Sequence, residues 1–217
     1  MECGMELEAM AVEMPEVAGH PNRVGFRGVL TLVDLPSDGA PHGANGRRVI
    51  VTRRAVEKAI PSLLGMGLDY APAFDGHDAQ RKVGVITRAE VTGNAVEVGG
   101  YLYGHDFPEV VEEIREAALK AGRDQESAAA KPAKGSGGRG KKRGRWLLAV
   151  LQAGSRRLRA RYSRGKGGPL GMSYEMTGVD IEDRRARTWV VRAMMFTGAA
   201  VLRREKAAYR GTWIELE

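Results

Sequence analysis

Residues 83–103, VGVITRAEVTGNAVEVGGYLY, decide the fold class of this chain. Two runs rich in Val, Ile and Tyr, 83–91 and 95–103, flank Thr92-Gly93-Asn94. A Gly-Asn step between β-prone runs reads as a hairpin, because glycine supplies the positive φ that tight hairpin turns demand. Residues 24–33 (VGFRGVLTLV) and 48–51 (RVIV) read as further strands, and so do 171–176 and 188–202. Thr52 is placed as the N-cap of a helix in which Ala55, Val56, Ala59, Ile60, Leu63 and Leu64 recur at helical spacing, with Pro61 ending or kinking it. Residues 70–74 read as a short extended piece. Asp106 opens a second helix, with Glu109 at capping-box spacing, Pro108 in the first turn, and an apolar stripe of Val110, Val111, Ile114, Ala117 and Ala118. Residues 146–151 (WLLAVL) suggest a third, short helix. Strands flanking two or three helices predict a compact α+β domain with a mainly antiparallel sheet or small barrel.

The chain's 217 residues suffice for one domain with a real core. No run of about 18 apolar residues appears, so no membrane-spanning helix is expected. Cys3 is the only cysteine, which excludes an internal disulfide, and one cysteine with four scattered histidines argues against a zinc site; no metal or cofactor is expected. The net charge of +7 is unevenly placed. Residues 131–166 hold 13 Lys or Arg and no acid, and without them 21 basic residues face 27 acidic ones. An acidic body therefore carries one basic segment, where any polyanion contact should fall. The expected organisation is a flexible acidic tail (1–20), a single domain (21–121 and 167–212), and a largely disordered, basic low-complexity insertion (122–166). Thirteen cations would bind phosphates through counterion release, so nucleic acid is a candidate partner of the insertion; a solvated linker and an autolysis-prone loop are the alternatives.

Two residues stand out for chemistry. His77 lies in Phe74-Asp75-Gly76-His77-Asp78, a turn before a strand, from which an imidazole can be presented as a general base. Ser173 lies in GPLGMSYEM, residues 168–176, where small residues let a substrate backbone approach. Serine is a weak nucleophile without an adjacent base. Taken singly, His77 reads first as a solvated loop histidine and Ser173 as a hydrogen-bonded strand serine.

Three blocks in order give the pair a context: GHDAQRKVGVI around His77, GPLGMSYEM around Ser173, and RAMMFTGAAVLRREKAAY at residues 192–209. With them the chain resembles, over residues 24–209, the prohead protease family of tailed phages, relatives of the herpesvirus capsid-maturation protease. The resemblance implies a serine endopeptidase that cleaves scaffold or capsid-protein segments inside the assembling prohead in the host cytoplasm. It implies Ser173 as nucleophile, His77 as base, and a homo-oligomer away from any membrane. Arg203 and Arg204, a basic pair after the last strand, become oxyanion or substrate candidates beside their reading as a solvated charged face. The family orients its histidine with a polar residue on the final strand, yet residues 188–202 contain no His, Asp or Glu. Asp78, Glu175 and Asp180 are the candidates for that role, and Glu175 shares a strand face with Ser173 by the period of two. Gly198-Ala199 replaces the Pro-Ala often found at the end of that strand. Two other readings stand beside the protease: an inactive assembly or scaffold module on the same fold, and a nucleic-acid-binding protein acting through residues 131–166.

Overall fold

The hairpin forms as the Gly-Asn step requires. Strand β5 (Lys82–Thr92) pairs antiparallel with β6 (Ala95–Leu102), Thr92 opposite Ala95, and Gly93 takes φ of +59° between them. The computed structural model describes residues 9–11, 15, 17, 19–129 and 169–217. The basic run 131–166 and the expected helix at 146–151 lie outside the described residues.

The other strands are β1 (Ala9–Ala11), β2 (Val24–Leu32), β3 (Arg48–Val51), β4 (Gly67–Asp69), β7 (Leu170–Ile181), β8 (Thr188–Arg203) and β9 (Trp213–Leu216). They join in one open nine-stranded sheet of order β3-β8-β4-β5-β6-β2-β9, with β1 on β5 and β7 on β8. The architecture is mixed α/β, and the sheet does not close into the small barrel that was one expectation. Strand β8 explains why. It is 16 residues long, so one edge takes β3 near its start and β4 near its end, both parallel, while β7 runs antiparallel along the other. The remaining pairings are antiparallel.

Helix α1 (Arg53–Ala59) starts at Thr52, whose hydroxyl accepts a hydrogen bond from the Ala55 N–H at 3.3 Å. At Pro61 the helix tightens into a 3₁₀ turn, Ile60–Leu63, because proline cannot donate to the α ladder. Helix α2 (Pro108–Ala129) buries Val110, Val111, Ile114 and Ala117 in the main core beside Phe26, Leu102 and Leu170, whereas Ala118 is exposed.

Four sequence expectations are corrected. Residues 9–11 of the supposed tail form a strand against Arg88–Glu90. Helix α2 continues to Ala129, into the segment expected to lack structure. The extended piece is Gly67–Asp69 rather than residues 70–74, which begin a loop. Glu109 closes no capping box; its Oε1 accepts a 2.6 Å hydrogen bond from the Tyr70 hydroxyl and ties α2 to that loop.

Candidate active site

The site is built on one row of residues across the sheet. Lys82 on β5 is paired with Asp69 on β4, Asp69 with Ala200 on β8, and Ala200 with Ser173 on β7. Directly paired residues point to the same face, so these four side chains share one side of the sheet. The opposite side carries Leu68, Ala199, Val201 and Met172 into the main core. A bulge sets the row: Leu68 opposes Gly84 and Asp69 opposes Lys82, so Val83 is skipped. Without that extra residue, Asp69 would face valine.

His77 reaches this row from the loop between β4 and β5. The loop is pinned at its base by Tyr70 N–H donating to the Arg81 carbonyl at 3.4 Å, and Arg81 N–H donates to the Asp78 carbonyl at 2.9 Å. Tyr70 packs between Phe74 (5.3 Å between ring centroids) and Phe107 (6.1 Å), giving the loop an aromatic footing against α2. Phe74 takes a left-handed φ of +52°, and its carbonyl accepts from the Arg203 N–H at 2.7 Å. A bulky residue in that region is strained and persists only where neighbours hold it.

The loop places His77 Nε2 3.2 Å from Ser173 Oγ. On the other side of the ring, Nδ1 lies 3.3 Å from Asp69 Oδ1. That second contact has ion-pair distance but poor alignment, and the buried Nδ1 has no well-directed hydrogen-bond acceptor among the described residues. Asp69 is a buried carboxylate, 2% exposed, and its remaining contacts hold it in place: the Asp78 N–H donates to Oδ1 at 3.3 Å and Lys82 Nζ to Oδ2 at 2.9 Å. Burial opposes ionisation of Asp69, but the contacts with His77 and Lys82 outweigh it and hold its pKa below the ordinary carboxylate value.

Asp69 was not among the sequence candidates for orienting the imidazole. Its signal was there to read: an aspartate in a short apolar strand, Gly67-Leu68-Asp69, ahead of the histidine turn. Glu175 stands on the Ser173 face but is exposed, and its carboxylate lies over Gly198, within 2.7 Å of where a Cβ there would sit. Asp78 is paired with Arg81 at 3.0 Å, and Asp180 is exposed farther along β7. Arg203 is exposed, its Nε donating to the Ala73 carbonyl at 3.4 Å, so it braces the base of the histidine loop. Arg204 donates its backbone N–H to the Pro169 carbonyl at 2.7 Å, and burial lowers its guanidinium pKa.

Ser173 and His77 open into a groove of about 1180 Å³ whose walls include Asp75, Gly76, Glu175 and Trp189. Neither Arg203 nor Arg204 lines it. Among the described residues no cluster of three His, Cys, Asp or Glu side chains could hold a metal ion, and no helix is long and apolar enough to cross a membrane. No protein-family model, curated protein or solved structure matches this chain.

Chemically, the arrangement is a hydroxyl beside an imidazole whose far nitrogen faces a buried carboxylate. Such a set can take the serine proton and stabilise the imidazolium that results.

Proposed function

We propose that this chain is a serine endopeptidase of the prohead type, cutting scaffold or capsid-protein segments during capsid maturation. One observation carries the reading: a hydroxyl, an imidazole and a buried carboxylate in sequence, with contacts of 3.2 and 3.3 Å, the first two lining a groove of about 1180 Å³. The reading assigns Ser173 as nucleophile, His77 as base and Asp69 as the group that orients the ring.

Ser173 Oγ bonds to the scissile carbonyl carbon as its proton passes to His77 Nε2. Asp69 stabilises the charged ring and keeps Nδ1 protonated. Collapse of the tetrahedral intermediate breaks the C–N bond, and Nε2 returns the proton to the leaving amine. Water, deprotonated by the same nitrogen, then hydrolyses the acyl-enzyme. The oxyanion needs fixed donors. Backbone N–H groups of the groove wall, at the Asp75-Gly76 turn before His77, fill that role in this reading in preference to Arg203 or Arg204, which stand outside the groove.

The inactive-module reading is the weaker one, because a serine within hydrogen-bond reach of a histidine backed by a buried carboxylate is more than a scaffold needs. The test is covalent capture. A fluorophosphonate probe should label the full-length chain on the peptide containing Ser173, and Ser173→Ala should abolish both labelling and cleavage of a co-expressed scaffolding protein. Scaffold cleavage that survives Ser173→Ala would overturn the proposal.

A further inference from the structure

Lys82 is a charged residue the mechanism above does not use, and the structure has made room for it. The Cβ that any other residue would carry at position 67 would lie 2.9 Å from Lys82 Cδ and 3.3 Å from Cγ. The lysine stem therefore lies across Gly67, and its Nζ reaches Asp69, which shares a strand face with Gly67, at 2.9 Å. The skipped Val83 puts Lys82 opposite Asp69 in the first place. A bulge, a glycine cradle and a 2.9 Å contact converge on one carboxylate oxygen, while the other oxygen faces His77.

We propose that Lys82 is a positioning residue of the triad: it fixes one oxygen of Asp69 so that the other is held toward His77 Nδ1. The proposal rests on the protease reading. The surroundings of Asp69 leave Lys82 as the cation in charge of it. Strand β8 offers uncharged Ala200, β5 offers Lys82, and the loop offers His77 and the Asp78 backbone N–H, the Asp78 carboxylate being engaged by Arg81. A lysine removed from this position leaves a buried carboxylate short of one charge-assisted partner, free to turn and easier to protonate.

The experiment compares full-length wild type, K82M and K82R by the pH dependence of fluorophosphonate labelling at Ser173, and by the carboxyl ¹³C titration of Asp69 assigned against D69N. K82M should label about tenfold more slowly. Its Asp69 titration should move to higher pH, and K82R should restore both the labelling rate and the titration toward wild type. A lysine that merely stabilised the fold would lower the melting temperature and leave the Asp69 titration in place. Should K82M fail to fold, Gly67→Ala displaces the lysine while retaining its charge and is expected to give the same two shifts. Unchanged labelling and an unchanged Asp69 titration in K82M, beside a wild type that labels normally, overturn the role of Lys82 alone. Absence of Ser173-dependent labelling in the wild type overturns the protease reading, and this proposal falls with it.

Discussion

Ala200→Val tests the geometry of the site without touching any group that takes part in the chemistry. Ala200 is fully buried and stands between Asp69 and Ser173 in the cross-sheet row. With neighbouring strands about 4.8 Å apart, the two outer Cα atoms are separated by roughly 9.6 Å, and the imidazole of His77 bridges that span above the alanine methyl. Valine adds two methyl groups, each projecting about 1.5 Å beyond the existing Cβ. The ring must lift or tilt by a comparable distance, and a misplacement of about 1 Å costs on the order of 100-fold in rate. Overpacking should also cost about 1–3 kcal/mol of stability, which leaves the protein folded if it has ordinary reserves. The assay is the second-order rate of fluorophosphonate labelling, followed with thermal unfolding on the same samples. Ala200→Gly is the control: a destabilisation of about 1 kcal/mol with labelling retained. A folded Ala200→Val protein that labels at the wild-type rate would refute the idea that the ring crosses the row at this point.

Asp69→Asn keeps the shape of the side chain and removes its charge, so labelling should fall by on the order of 10²–10⁴-fold, read by the same probe, while Glu175→Gln should leave the rate within about twofold. Because the folded-state pKa of Asp69 lies below the ordinary value of about 3.9, its contribution to stability is complete above that pH and is lost as pH falls through the lowered value. Denaturation followed by circular dichroism from pH 6 to pH 2 should therefore show a steeper acid decline in wild type than in Asp69→Asn. Gly93→Val forces a β-branched residue to the φ of +59° in the β5–β6 turn and should cost about 1–3 kcal/mol in urea unfolding, with no effect on labelling per folded molecule.

Local chemistry wrote much of the fold into the chain. The Gly93-Asn94 turn, the Thr52 cap and the break at Pro61 each depend on neighbours within a few residues, and all three occur where the sequence put them. The end of α2 was misplaced because alanine and charged residues support a helix as readily as a linker, and composition alone favoured the linker. Strand β1 was missed because three residues take their structure from the strand they pair with, Arg88–Glu90, and not from their own pattern.

The site divides the same way. The turn around His77 and the small residues around Ser173 mark both as candidates in the sequence, but a separation of 96 positions along the chain conceals that they meet at 3.2 Å. Asp69 was passed over and Glu175 preferred because strand periodicity reports which face a side chain occupies and says nothing of which strands lie side by side. That neighbourhood was decided by β8, long enough to hold β4 on one edge and β7 on the other, and by one bulge that turned Lys82 onto Asp69. Residue identity determined what chemistry was available, through hydroxyl, imidazole, carboxylate and amine. Non-local strand register, set by burial of the opposite face, decided which of them could touch.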